Sequence, residues 1–450
     1  MKSTVPKYLA ISLLGLSFVA QADDSDSVDN LKDFFLKGHL GGQARLYNFN
    51  RSYEASNPTK PSAHALAASL MLDGSTASLH GFSLATSLAA VSDLGSRDNN
   101  PRRVDTTLMG AKSYFNAVTQ GYMQYKNNWM MLRGGLQYLD TPWMNRSDSR
   151  MIPASYSAIL LNFKPVKGLD VSLIRSFSWR SRVSSTYNKD NLYYTVGYRG
   201  DTLYGGNNKL PESTKNANGT WAAGVSYTWQ GLKAQGWYYD FQNFARLSYL
   251  DGSYTFNTGT GFNPIVGAQF AYESSGTHNR LSDSGASVNG VTTGSKVKSR
   301  AWGVDLGLAI PNGRFDVYYN KIAQENAVGG GALISPYTVG YATDPLYTTS
   351  MIRGLVEMGP GHAWKTKFTY NLFGEHVQLT AAYAHYSTQN YGSNRNVYGD
   401  IIFRPGKLMN GLFEGLTIRD RWERASGGKN NLNPGNKHFI YNRVMVSYAF

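Results

Sequence analysis

The stretch Trp302-Gly303-Val304-Asp305-Leu306-Gly307-Leu308-Ala309-Ile310 sets large apolar side chains at every second position, with glycine, aspartate or alanine between them. At helical angles those side chains would scatter around the axis; at strand angles they line one face. The pattern recurs outward from this segment. Trp364, Thr366, Phe368, Tyr370 and Leu372 alternate with Lys365, Lys367, Thr369 and Asn371, and Val377, Leu379, Ala381 and Tyr383 with Gln378, Thr380 and Ala382. Leu132, Gly134, Leu136 and Tyr138 face away from Met131, Arg133, Gly135 and Gln137, and Leu40, Gly42, Ala44 and Leu46 from His39, Gln43, Arg45 and Tyr47. Each segment is about ten residues long, enough for a tilted strand to cross a bilayer's hydrocarbon core.

The second face decides the fold class. A soluble β-sandwich needs Leu, Ile and Val there to fill a core; here the positions are Gly, Ser, Gln, Lys and Arg. Such residues suit a water-filled lumen, so the sequence predicts an all-β, transmembrane antiparallel β-barrel. A channel that holds water needs roughly 16–18 strands, and 18 strands leave about 24 residues for each strand and its connection. The stretches Gly200–Gly219, Gly252–Ser299 and Gln324–His362 are polar, Gly- or Asn-rich and without period, and read as long extracellular loops.

Composition agrees. Charged residues are 16% of the 450, aromatic residues 13%, and there is no Cys, which excludes a disulfide scaffold and thiolate metal sites. Lys2 and Lys7, the apolar run Tyr8 to Ala20 and the small-residue site Ala20-Gln21-Ala22 form a secretory leader, so residues 1–22 are expected to be removed and 23–450 to form one barrel domain. Loss of the two lysines lowers the net charge from +14 to +12. Phe450 ends an amphipathic strand that carries Tyr448, Val446, Val444, Asn442 and Ile440 on the same face, as a strand read by barrel-assembly machinery would. The expected location is the bacterial outer membrane.

Parity assigns each charge to lipid or lumen, because Lys or Arg facing lipid at mid-bilayer costs about 2–4 kcal/mol. Arg45, Arg133, Lys365, Lys367, Arg419, Arg421 and Arg443 fall on the lumen side, with Asp170, Asp305, Asp316 and Glu423. Such a wall attracts anions and, if no single contact is too strong, releases them.

Several motifs carry a family resemblance. Leu132-Arg133-Gly134-Gly135-Leu136-Gln137, followed by Ser147-Asp148-Ser149-Arg150-Met151-Ile152-Pro153, resembles the OprD family of substrate-specific outer-membrane porins. Asp33-Phe34-Phe35, Gly168-Leu169-Asp170-Val171, Tyr341-Ala342-Thr343-Asp344-Pro345-Leu346, Ala363-Trp364-Lys365 and Gly415-Leu416-Thr417-Ile418-Arg419 are similar to shorter family segments. The resemblance implies an 18-stranded barrel with loops folded inward and a ladder of Arg and Lys that leads carboxylate-bearing nutrients through without ATP or cofactor. By motif, Arg150 corresponds to the constriction-loop arginine, Asp148 to the acid beside it, and Asp344 to an acidic position of a second inward loop, with Arg133 next along the wall. Residues 252–299 depart from the family pattern.

The implied partners are outer-membrane lipid, small solutes and the assembly machinery, with the barrel a monomer or a loose homotrimer. The charge is spread over strands and not clustered, which argues against nucleic acid. Neither G-x-S-x-G nor H-E-x-x-H is present, so no enzyme is expected. The alternatives are a channel for neutral sugars, with Trp237, Tyr238 and Tyr239 as a stacking path, and a surface adhesin, for which a basic lumen has no use.

Overall fold

The computed structural model describes residues 27–54, 61–189, 218–276, 287–288, 291–292, 296–334, 337, 344–406, 411–429 and 437–450. The expected leader, residues 1–22, lies outside the described residues. Eighteen long strands run up and down. The first six are β1 (His39–Tyr53), β2 (Ala63–Ser75), β3 (Phe82–Ser92), β4 (Tyr114–Lys126), β5 (Met130–Gln137) and β6 (Ser155–Val166). The next six are β7 (Leu169–Arg180), β8 (Thr220–Trp229), β9 (Leu232–Phe241), β10 (Ala245–Thr255), β11 (Asn263–Ser274) and β12 (Lys298–Ile310). The last are β13 (Gly313–Ile322), β14 (Gly361–Leu372), β15 (Val377–Thr388), β16 (Gly392–Phe403), β17 (Leu416–Gly427) and β18 (Phe439–Ala449). Each pairs antiparallel with the next, and β18 pairs with β1, so the sheet closes. Closure satisfies every ladder group, the condition for strands to span lipid. No helix among the described residues is long and apolar enough to cross a membrane.

Connections are short at the end that bears both termini, as at Lys167-Gly168, Gln230-Gly231 and Pro311-Asn312. They are long at the other end, which marks the first as periplasmic and the second as extracellular. The outside is apolar and the inside mixed: Leu306 is 58% exposed, whereas its neighbour Asp305 is 4% exposed. Some ionisable side chains also face outward, Arg175 and Asp420 among them. Arg175 points outward on β7, but its guanidinium lies about 5.1 Å from the rings of Phe177 and Trp221 and reaches the Asn218 carbonyl, so it snorkels to the rim. Asp420 on β17 points outward between Ile418 and Trp422 and accepts a 2.7 Å hydrogen bond from Asn442.

At the seam, Gly42 and Phe450 exchange backbone hydrogen bonds of 2.9 and 3.0 Å. A Cβ on Gly42 would lie 2.5 Å from the Met71 carbonyl oxygen and 2.7 Å from the Phe450 ring, so only glycine fits under that ring. A helix, α1 (Leu31–Leu36), sits at the periplasmic end, capped by the Asn30 side chain, with Phe34 buried against Val28 and Ala77.

Three sequence expectations are corrected. The stretch Gly252–Ser299 is not one loop, because it ends β10 and contains all of β11. There Ile265 and Ala271 face inward opposite Val266, Phe270 and Tyr272, and apolar residues on both faces blunt the alternation. Tyr138 does not continue the outer face: β5 stops at Gln137, and Tyr138 turns in to line a cavity. His362 belongs to β14 and not to the preceding loop. Of Gly200–Gly219, residues 200–217 lie outside the described residues.

The packed core lies inside the barrel, where two inward loops meet the wall. Trp143 and Met144 of the 138–154 loop pack with Leu333, Ile334, Leu355 and Met358 of the 323–360 loop, the last two from the short helix α2 (Leu355–Met358). Met151 and Ile152 pack with Ile352, Phe49, Leu108 and Tyr441 in a second cluster. These loops fold inward because burying such side chains is their only escape from water on both sides.

Candidate functional site

The 138–154 loop is held at its tip by an ion pair. Asp148 accepts two hydrogen bonds from Arg45 of β1, at 2.5 and 2.7 Å, the two-point geometry of a planar guanidinium on a carboxylate. Arg45 also donates to the Arg150 carbonyl at 2.7 Å and to Gln43 at 2.6 Å. The Arg150 side chain turns away from Asp148. Its Nε donates to the Thr107 carbonyl at 2.7 Å, its Nη1 to the Ser149 carbonyl at 2.8 Å, and its guanidinium lies 5.2 Å from the Phe49 ring centre. The Ser69 hydroxyl donates to the Met151 carbonyl at 3.0 Å, and Arg180 to the Pro153 carbonyl at 2.6 Å. The Ser147–Pro153 block is thus tied to the wall by Arg45, Ser69 and Arg180, and to the neighbouring Thr107 loop by Arg150.

The second loop is tied in the same manner by side chains that parity sends to the lumen. Glu423 accepts from the Ile352 amide at 3.0 Å and from the Ser350 hydroxyl at 2.6 Å. Lys365 donates to the Thr349 carbonyl at 2.7 Å, and Glu273 accepts from the Ile334 amide at 3.0 Å. Asp344 is buried within this loop, where Oδ1 accepts from the Leu346 amide at 3.1 Å. Glu357 accepts from the Gly354 amide at 2.7 Å, and a Cβ on Gly354 would lie 2.4 Å from Asp344 Oδ2, so the two carboxyl groups share that glycine. Burial pushes Asp344 up to about 6, and burial together with the Asp344 charge holds Glu357 well above the usual carboxylate range.

Two cavities flank the first loop. The larger, about 1470 Å³, is lined by β1, by β9 through β18 and by Asp148 and Ser149, and it reaches the periplasmic turns at Asn257 and Arg404. The smaller, about 380 Å³, lies against β4 through β9 and contains Arg133, Tyr138, Arg146 and Trp237. The sequence-derived lumen residues therefore divide. Arg45, Lys367, Arg419 and Asp148 line the large cavity, and Arg133 the small one. Lys365, Arg421, Arg443, Arg150 and Asp344 do not line either; Arg443, for example, lies 4.1 Å from the Tyr441 ring centre inside the wall. Tyr448 and Phe450 stand outside, their rings stacked at 6.2 Å.

Residues that sequence reasoning missed are Lys233, Asp251, Arg314, Asp400 and Arg404. Arg314 was within reach, since it shares parity with Asp316. Asp400 was not, because Ile401, Ile402 and Phe403 run together and erase the period. The large cavity carries six cationic and six acidic side chains, yet they are not equivalent. Asp148 is paired with Arg45, Asp305 and Asp316 with Arg314, and Asp400 with both Arg419 and Arg421. Asp251 accepts from the Tyr347 hydroxyl at 2.7 Å. Lys233, Lys367 and Arg404 have no hydrogen-bond or ion-pair partner for their side chains among the described residues, against Glu375 alone among the acids.

Comparison with solved structures agrees with this architecture. OccK9 (OpdG) of Pseudomonas aeruginosa superposes with a TM-score of 0.72 at 15% identity, over 93% of this chain and 99% of that one. The chain has the fold of the OprD/Occ porins. OccAB3 of Acinetobacter baumannii matches with a TM-score of 0.70 at 14% identity over 92% and 100% of the two chains. OpdK of P. aeruginosa, solved with vanillate, matches with a TM-score of 0.68 at 15% identity over 93% and 99%. No family model and no curated protein sequence matches this porin-like chain. These neighbours are channels, and an apolar-banded closed barrel of this kind is an outer-membrane structure.

Proposed function

We propose that this porin-like barrel passes small carboxylate-bearing solutes passively through the cavity described above. The observation that carries the reading is the imbalance of unpartnered charge: Lys233, Lys367 and Arg404 line the cavity without a partner, while most of its carboxylates are already engaged. A carboxylate entering past Asp148 meets first the guanidinium groups of Arg45 and Arg419, held in place by Asp148 and by Asp400. A paired guanidinium binds an incoming anion weakly, which favours release over capture. Lys367 and then Arg404 offer further contacts toward the periplasm. Near a protein surface one close contact is worth on the order of 4 kcal/mol before desolvation, so a few suffice to bias permeation. That OpdK was solved with vanillate, an aromatic carboxylate, is consistent with this solute class. Of the aromatic residues considered for a sugar path, Tyr238 faces outward and Tyr239 is fully buried, and Trp237 alone lines a cavity.

The test is the reversal potential of the reconstituted protein under a potassium chloride gradient at low salt. Anion preference is expected, and Lys367→Gln should reduce it severalfold while leaving single-channel conductance nearly unchanged. Clear cation preference in the parent protein would refute the reading. Screening shortens to about 3 Å at 1 M salt, so the preference should fade there.

A further inference from the structure

One row of outward-facing side chains takes no part in the pore. On six adjacent strands a basic side chain faces outward near the extracellular rim: Arg300 on β12 with Lys298 beyond it, Lys321 on β13, His362 on β14, and, one outward position in from Ser387, Ser393 and Ser426, His385 on β15, Arg395 on β16 and Arg424 on β17. Neighbours are in register, with Lys321 opposite His362 and His385 opposite Arg395. Two residues toward the membrane on the same strands lie Trp302, Tyr319, Trp364, Tyr383 and Trp422, with Val397 on β16. Trp302 and Tyr319 approach to 5.2 Å, as do Trp364 and Tyr383, and the two histidine rings lie 6.2–6.3 Å from Trp364 and Tyr319. An aromatic belt marks the level of the bilayer interface, so the basic row sits at headgroup height of the outer leaflet.

Charge balance and asymmetry sharpen the point. Arg300 is tied to Glu325 at 2.5 Å, but the outer faces of β13 through β16 carry no Asp or Glu. At the periplasmic ends of these strands the same face is apolar, as at Phe315, Phe403 and Ile418. Mere solubility of exposed rims would not distinguish the two ends. Cations just beyond an aromatic belt at one end only, spaced at neighbouring strands about 4.8 Å apart, match several phosphate charges on one lipid.

We propose that the β12–β17 sector binds the phosphate groups of a phosphorylated outer-leaflet glycolipid, with the acyl chains on the apolar band below and the sugar phosphates on Lys321, Arg395 and Arg424. The histidine rings add donors and, when protonated, charge. Ligand and barrel would meet along six strands, so the lipid is a lateral companion of the wall and not a solute of the pore.

The test uses the full-length protein in detergent, with lipid A as probe and binding read by native mass spectrometry. Phosphorylated lipid A should bind about tenfold or more tightly than the same lipid stripped of its phosphates. The triple variant Lys321→Gln, Arg395→Gln, Arg424→Gln should lose that preference. A control variant at the periplasmic turns, Lys126→Gln, Lys164→Gln, Lys167→Gln, should keep it. Equal affinity of the parent for both lipids would overturn the proposal, as would an unchanged preference in the folded triple variant. Full displacement of lipid A by millimolar inorganic phosphate would also overturn it, because the site would then be one for a free anion. Heat-modifiable migration reports folding. If the triple variant does not assemble, Arg395→Gln alone should show a smaller loss of preference, and no loss there would sink the idea.

Discussion

The two halves of the lumen wall treat the same kind of residue differently. Around the arc β1 to β7, several arginines spend their donors on neutral acceptors: Arg180 of β7 and Arg150 of the inward loop on carbonyls of Pro153, Thr107 and Ser149, and Arg133 on the side chain of Gln124 of β4. On the arc β9 to β18, most cavity-lining cations meet carboxylates or open space: Arg314 holds Asp305 and Asp316, Arg419 holds Asp400, and Lys367 holds nothing, while Lys365 fastens the Thr349 carbonyl of the second loop. The strand period is the same on both arcs. What differs is whether a loop or water covers the inner face, and therefore whether a guanidinium works as a fastener or as part of a path. Arg45 stands at the boundary, since it fastens Asp148 and also lines the cavity.

Arg45 is accordingly the place to break the distinction. Arg45→Ala leaves Asp148 without its cation in a buried setting and frees the Arg150 carbonyl, which should cost about 3–5 kcal/mol. The expected outcome is a fall of many degrees in the unfolding midpoint seen by heat-modifiable migration, together with larger and noisier conductance as the loop loosens. A variant that keeps both the parent midpoint and the parent conductance would show that the loop is held by its apolar residues alone.

Arg150 tests the fastener role in isolation. Its motif marks it as the constriction arginine, and its geometry gives it the Thr107 and Ser149 carbonyls. We expect Arg150→Ala to destabilise by about 2 kcal/mol, the scale of a lost charged hydrogen-bond pair. Carboxylate uptake should fall because Asp148 and Ser149 shift, with small-ion conductance unchanged or raised. Arg150→Lys should lie between the two, because one ammonium cannot reproduce the planar two-point donor. Direct contact with solute makes a different prediction: uptake falls while the midpoint stays put.

The difference between the arcs also explains what could be read from the sequence. The barrel and its lumen face were legible, because a two-residue period is a local signal, whereas the expectation of 18 strands rested on chain length and the family resemblance, and that of an inward Ser147–Pro153 loop on the resemblance alone. β11 was not legible, since Ile265 and Ala271 place apolar side chains inside. The division of cations into fasteners and path residues was also hidden. It depends on which loop carbonyl reaches which strand, as with Thr349 and Lys365, and no periodicity encodes that. Parity names the face and is silent about its cover.

The 323–360 loop allows the cover to be varied without mutation. Asp344 is raised to about 6 and Glu357 well above its usual range, with Lys365 as the nearby cation and Thr349, Leu346 and Gly354 as hydrogen-bond partners. A raised carboxyl binds its proton more tightly in the folded state, so its contribution is fully present below the unfolded value of about 4. That contribution is lost as pH rises toward the folded value. Docking of this loop should therefore weaken between about pH 4 and 6, seen as rising open-channel noise. Glu357→Gln should flatten that dependence. Noise that is constant from acid to neutral pH would mean that the pair does not bear on loop docking.

The smallest effect lies outside the barrel, where parity itself has an exception. Asp420 faces out between Ile418 and Trp422, beside Val444 of β18 and Ile401 of β16, with Asn442 as its hydrogen-bond donor. Acidic residues on a lipid face cost less than the roughly 2–4 kcal/mol of Lys or Arg at mid-bilayer, and the Asn442 bond offsets part of that. Asp420→Leu should then stabilise the barrel by only about 1 kcal/mol, with Asn442 left to face lipid alone. The double variant Asp420→Leu, Asn442→Val should gain more than the single one, because an orphaned amide is removed along with its partner. Neither should alter ion selectivity, since the side chains stand on the far side of the wall from the cavity. If Asp420→Leu instead destabilises, or shifts the reversal potential, the outer face carries a contact that lipid does not supply, and the separation of inner from outer roles by strand parity fails at this position.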